Sequence, residues 1–122
     1  MYLKHDYYQQ ALAGTDKVLC RESAAEYLNL SNGNFGKNIE YYLYPEAVGR
    51  EVIVVNGILC TSVDQTINDL LEDKESDEQV LLESLGNYFY ENQGSFKGLK
   101  IKPGNQERFA ELEQAAISYY DD

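Results

Sequence analysis

The spacing of apolar residues changes twice along the chain, from a helical period to a strand period and back. In the opening "DYYQQALAG", Tyr8 and Leu12, joined by Tyr7, fall on one helical face, and Gly14 stands where a short helix would stop. "DKVLCRESAAEYLNL" places Val18 and Leu19 ahead of a second helix whose inner stripe is Ala24, Ala25 and Leu28, closed by Leu30. "SNGNFGKN" consists of turn-forming residues and predicts a loop. The period then shortens. In "NIEYYLY", Ile39, Tyr41 and Leu43 alternate with Glu40, Tyr42 and Tyr44, the spacing of a strand with two unlike faces. Pro45 and "EAVG" separate it from "EVIVVNGILCTS", where Asn56-Gly57 joins two apolar runs. Both residues of that pair tolerate positive φ, so it predicts a hairpin.

The helical period returns in "SVDQTINDLL". Ser62 ahead of Gln65 predicts a capping box, Asp64 suits the positive end of the helix dipole, and Val63, Ile67, Leu70 and Leu71 form one apolar face. "SDEQVLLESLGNYFYENQG" repeats the device with Ser76 and Gln79, followed by Val80, Leu81, Leu85, Tyr88 and Phe89, and Gly94 is its expected end. Asn105 is the expected cap of a last helix carrying Phe109, Leu112, Ala116 and Tyr119 or Tyr120, with Glu107, Glu111 and Glu113 on its outer face. This order predicts an α+β domain, a small, mainly antiparallel sheet of three or more strands, including the Asn56-Gly57 hairpin, covered by about five helices.

A chain of 122 residues is expected to form one domain over residues 1–122. Its hydrophobic fraction of 43%, with 11 Tyr and 4 Phe, separates it from disordered compositions despite a net charge of -11. No apolar run approaches the roughly 20 residues that cross a bilayer, and "MYLKHDYYQQ" lacks the basic-then-apolar order of a signal peptide. A soluble cytoplasmic protein is expected, with no membrane partner. Cys20 and Cys60 stand far apart, beside apolar residues and without Cys or His neighbours, which predicts two buried thiols rather than a zinc site or a disulfide.

Charge narrows the function classes. With 21 acidic against 10 basic residues the chain repels phosphate, and the best basic cluster, Lys97, Lys100 and Lys102, is small and lacks an arginine fork. Direct nucleic-acid binding is disfavoured, and a basic protein is the expected complement. Catalysis finds little support either. His5 has no spacing that joins it to Ser23, Ser62 or a cysteine, so no catalytic residue is assigned. Asp69, Glu72, Asp73, Glu75, Asp77 and Glu78 lack the alternating ligands and central glycine of a calcium loop, and Gly33 and Gly36 follow no strand. Neither metal nor cofactor is expected. A helix end followed by a helix start accounts for those acids, which remain the candidate contacts for a basic partner, together with Tyr42 and Tyr44.

Two segments carry a family resemblance. "VLCRESAAEYLNL", followed by strands and "GILCTSVDQTINDLLE", resembles the C-terminal antitoxin domain of the AbiEi family, from type IV toxin-antitoxin and abortive-infection systems. Ser23, Ala24 and Leu28 stand at the positions of the family's Ser-Ala helix. Thr61, Ser62, Thr66, Asp69 and Leu70 stand at its Thr-Ser turn and "R-T-x-x-D-L" helix. "QVLLESLGNYFYENQG" is similar to its next helix, and the likeness spans residues 18–120. The chain departs from the pattern at Gln65, where the family usually has arginine, and at Arg21, where histidine is frequent. AbiEi antitoxins commonly begin with a promoter-binding winged helix, which the sequence before Val18 does not provide. The resemblance implies a non-enzymatic antitoxin-like protein that opposes a nucleotidyltransferase-type toxin.

The charges alone support another class of reading. An acidic protein rich in tyrosine could occupy the basic nucleic-acid channel of a host defence protein, as bacteriophage-encoded anti-CRISPR inhibitors and DNA mimics do, with carboxylates in place of phosphates and tyrosine rings in place of bases. The two readings share one surface, the acidic stretch over residues 69–78.

Overall fold

The computed structural model describes residues 4–32 and 38–119, the side chains of Lys4 and His5 excepted. The expected loop glycines Gly33 and Gly36, the His5 side chain and Tyr120 lie outside the described residues. Within them the chain runs α1 (Lys4–Leu12), β1 (Val18–Leu19), α2 (Arg21–Tyr27), β2 (Tyr41–Tyr42), α3 (Tyr44–Ala47), β3 (Val52–Val55), β4 (Ile58–Thr61), α4 (Val63–Glu72), α5 (Glu78–Glu91), a single 3-10 turn (Pro103–Asn105) and α6 (Gln106–Ile117). The fold is α+β, with a four-stranded sheet in the order β2-β1-β4-β3. β1 pairs with β2 and β3 with β4 antiparallel, while β1 and β4 run parallel, Leu19 beside Cys60.

The hairpin forms as its turn chemistry requires. Asn56 at φ +52 and Gly57 at φ +81 close it, and Val55 stands opposite Ile58. The strand expected before Pro45 is shorter than its alternation suggested. Only Tyr41 and Tyr42 pair, Leu43 is exposed, and Tyr44 and Pro45 open the short helix α3 instead. Proline is favoured at a helix start because its missing N–H would have no intrahelical acceptor there.

The sheet has two unlike faces. On one, Leu19, Ile58 and Cys60 pack with Tyr8 and Leu12 of α1 and with Ala24 and Tyr27 of α2. On the other, Val18, Cys20 and Tyr42 are buried with Ala47 of the short α3 and with Val52 and Leu59 packed against them, and Val54 is left 67% exposed. The largest core lies among the helices, where Ala25 of α2 meets Ile67, Leu70 and Leu71 of α4, Leu81 and Leu85 of α5 and Ala116 of α6. Gly86 permits the close α5–α6 approach, since a Cβ there would stand 3.1 Å from both the Ala116 carbonyl and the Tyr119 Cβ.

Both expected capping boxes differ in detail. At α4, the Ser62 hydroxyl accepts from the Gln65 N–H at 3.1 Å, but the Gln65 side chain turns to Glu51 and Asp69 rather than back to the cap. At α5 the cap moves one residue, to Asp77, whose carboxylate accepts from the Gln79 N–H at 2.9 Å, and Ser76 donates to Asp73 instead. Asn105 precedes α6 but does not cap it. Its side-chain amide donates to Asn68 Oδ1 at 2.9 Å, and Asn68 in turn donates to the Lys100 carbonyl and accepts from the Lys102 N–H, so this one side chain pins residues 100–105 onto α4. Among the described residues no helix is long and apolar enough to cross a membrane.

Candidate functional site

Three turns of the chain converge at one end of the sheet: the β1–α2 junction, the α3–β3 loop and the β4–α4 junction. Arg21, the first residue of α2, takes a left-handed backbone, φ +47, a conformation unfavourable for a residue with a Cβ. Neighbouring bonds hold it there. Glu40 caps α2 from outside the helix, its carboxylate accepting from the Glu22 N–H at 3.1 Å and from Arg21 Nε at 3.0 Å. Cys20, at the cap position itself, makes no side-chain capping bond. The Glu40 N–H donates to the Ser23 hydroxyl at 2.8 Å, which fixes β2 against the same helix end.

From this turn the Arg21 guanidinium reaches the Tyr42 ring, 5.2 Å from its centroid, and donates to the phenol oxygen at 3.3 Å. Arg50 approaches the same ring to 4.4 Å and forms an ion pair with Asp69 at 2.7 Å. Burial divides this pair unequally, the Asp69 side chain being 1% exposed and that of Arg50 28%. Asp69 Oδ1 also accepts from Gln65 Nε2 at 2.8 Å, and Gln65 Oε1 accepts from the Glu51 N–H at 3.0 Å. Asp69 Oδ2 is buried without a hydrogen-bond partner among the described residues.

The electrostatics follow from this burial. Loss of water pushes the Asp69 carboxyl above its ordinary value, against the opposing pull of Gln65, Arg50 and Tyr42. Burial likewise raises the Tyr42 phenol, and it pushes the Cys20 and Cys60 thiols up to about 12. A nucleophile needs an accessible, deprotonatable group. These groups are enclosed and held protonated or paired, so the network acts as a polar frame joining helix, loop and strand. Beneath it, the Thr61 and Thr66 hydroxyls share a buried hydrogen bond of 2.6 Å that ties β4 to α4.

The expected partner-binding residues therefore separate into two groups. Asp69 and Tyr42 are buried, which corrects their expected place on a contact surface: tertiary packing of Arg50 and of α3 encloses both. Glu72, Glu75, Asp77 and Glu78 are exposed on the α4–α5 turn, as their place between two helices suggested. Asp73 lies at the turn's centre, half-buried. It accepts from the Glu75 N–H at 3.0 Å and the Ser76 hydroxyl at 2.9 Å, and stands 3.7 Å from Arg21. Although partial burial acts the other way, these donors and the Arg21 charge hold its carboxyl below its ordinary value. The Asp77 N–H donates to Glu22 at 3.0 Å, so the turn is fastened to the start of α2. Tyr44 is 77% exposed on α3, a different element from the α4–α5 turn.

Arg21, Arg50, Gln65 and Glu40 are the members of the frame that the sequence did not mark as contacts. Gln65 and Arg21, the positions that depart from the family pattern, both belong to it. A signal was present in Arg50, a single cation between an exposed helix and an apolar strand, but its acid lies 19 residues away on another element. Among the described residues no three His, Cys, Asp or Glu side chains converge as metal ligands. No protein-family model, no curated protein and no solved structure matches this chain.

Proposed function

We propose that the protein is a non-enzymatic, antitoxin-like interaction protein of a phage-defence or mobile-element system, and that its α4–α5 turn meets the basic surface of a nucleotidyltransferase-type toxin. The observation that carries this reading is the turn itself. Glu72, Glu75, Asp77 and Glu78 face solvent on a backbone fixed by Asp73, Ser76 and Glu22, so the turn that carries these four acids is ordered before any partner arrives. An acidic surface on an ordered backbone loses little backbone freedom on docking and speeds encounter with a basic one.

The family-like positions Thr66 and Asp69 support the scaffold rather than the contact, because both are buried, Asp69 in the polar frame and Thr66 beneath it. The test is coexpression with a nucleotidyltransferase toxin encoded beside the gene. Growth should be restored, and restoration should fail when Glu72, Glu75 and Glu78 are changed together to Lys, with the fold retained. Toxicity that persists beside the intact protein would overturn the antitoxin reading. The alternative, an inhibitor that fills the nucleic-acid channel of a host defence effector, is favoured by the same turn; it requires salt-sensitive binding to a purified effector of that kind and loss of that effector's nucleic-acid binding.

A further inference from the structure

Among the described residues β3 is an edge strand, paired on one side only, with β4. A two-residue hairpin makes Val55 and Ile58 a hydrogen-bonded pair, and the alternation of an antiparallel ladder extends this to Ile53 with Cys60. It continues to Glu51, whose carbonyl accepts from the Ser62 N–H at 3.1 Å. The N–H and C=O groups of Val52 and Val54 therefore point away from β4, and none has a partner among the described residues. Strand edges are usually protected by charge, proline or a covering element. The segment "VIVV" carries neither charge nor proline, and its side chains at 53 and 54 are 37% and 67% exposed.

We infer that β3 pairs with β3 of a second copy of this chain, antiparallel about a twofold axis through Ile53. Only this kind of register matches the free groups. Val52 of each copy lies opposite Val54 of the other as a hydrogen-bonded pair, and each such pair exchanges two bonds, so four bonds form and the sheet runs on through both copies. Ile53 meets Ile53 of the second copy at the axis, where the side chains of a non-bonded pair approach closely. The flanking residues also fit. The register sets Glu51 opposite Val55 and Arg50 opposite Asn56, so no like charges face each other.

Area and charge set the strength. Ile53 and Val54 with their backbone offer far less than the roughly 800 Å² per partner in a standard interface, so the dimer is weak. Two copies each carrying -11 also repel. Added salt should therefore strengthen self-association, whereas it should weaken a contact made through the acidic turn, and the two fail independently.

Sedimentation equilibrium of the full chain from about 10 µM to about 1 mM, at low and at moderate salt, tests this, since weak interfaces dissociate within that range. A reversible monomer–dimer equilibrium that tightens with salt is expected. Val54→Pro removes an outward N–H from each copy while keeping the ladder to β4, and should weaken the dimer at least tenfold, as Val54→Lys should by placing a charge on the edge. Circular dichroism checks that each variant is folded, and if Val54→Pro is not, Val54→Lys decides. A monomer throughout would overturn the proposal and leave the edge to a strand from another protein. A dimer that the folded Val54 variants leave unchanged would overturn it equally.

Discussion

The polar frame makes a quantitative prediction when its cation is removed. Arg50→Met keeps a stem of similar length over the Tyr42 ring and deletes the charge, leaving the Asp69 carboxylate 1% exposed with Gln65 as its hydrogen-bond donor. Breaking a buried pair by removing one member costs about 3–5 kcal/mol. The retained 2.8 Å bond from Gln65 and the partial exposure of Arg50 reduce this to about 2–3 kcal/mol, a large share of the 5–15 kcal/mol typical of a whole domain. For a chain of this size that lowers Tm by about 10 °C.

The pH dependence supplies the sign. Burial raises the Asp69 pKa in the folded state, so the folded chain tolerates the ionised form less well than the unfolded chain does. Its contribution is therefore most favourable below the unfolded value of 3.8 and falls as pH rises through the raised folded value. Without Arg50 the folded value rises further, so the variant's deficit should be small near pH 4 and reach its full size by about pH 7. Urea unfolding followed by circular dichroism at several pH values measures this. Asp69→Asn alone should cost about 1 kcal/mol or less, since Gln65 keeps its acceptor, and Arg50→Met should then add little in the Asp69→Asn background. A deficit that is flat with pH, or one that Asp69→Asn does not suppress, would refute the assignment of that energy to a buried charge.

Two further outcomes follow from buried groups. Cys20 and Cys60, with thiols pushed up to about 12, should resist a thiol-specific reagent at about pH 8 in the native protein and react at once in denaturant; native-state labelling at the denatured rate would contradict their burial. Thr66→Val leaves the Thr61 hydroxyl buried without its 2.6 Å partner and should cost about 1–2 kcal/mol in urea unfolding, of which the double change Thr61→Val with Thr66→Val should recover part; a neutral Thr66→Val would show that the hydroxyl pair is unimportant to stability.

Features set by local backbone chemistry were legible in the sequence. Asn56-Gly57 specifies its hairpin because the turn demands two positive φ values, and Gly94 at φ +74 ends α5 by donating to the Phe89 carbonyl at 2.9 Å. Helix registers were legible for the same reason, since Ile67, Leu70 and Leu71 recur on one face of α4. What escaped depended on partners distant in the chain. Ser76 and Asp77 are equally good caps by type, and Asp73 decides between them by engaging the Ser76 hydroxyl. Asp69 reads as one more acid at the start of an acidic stretch, and nothing within a helical turn of it announces Arg50. The alternation of "NIEYYLY" was real for Tyr42, which faces the sheet cluster, but pairing stops where Tyr44 and Pro45 begin a helix.

The division between buried and exposed acids bears directly on function. An Asp at position 69 is tolerated only because Arg50, Gln65 and Tyr42 gather around it, and a well-packed apolar replacement of such a cluster is often no less stable. Stability alone therefore does not explain the frame. Its geometry offers another role, since Arg50 holds α3 over the otherwise thinly covered sheet face through the Glu46 carbonyl at 2.9 Å, while Arg21 and Glu22 hold the acidic turn through Asp73 and Asp77. Tyr42 lies between these two arginines. The same few residues thus fix both the acidic turn and the approach to the β3 edge, two surfaces that salt should affect in opposite directions. If the frame does position both, Arg50→Met at a pH where the variant remains folded should alter self-association through β3 more than binding through the turn, because Arg50 leads directly into that strand, whereas Arg21 alone reaches Asp73.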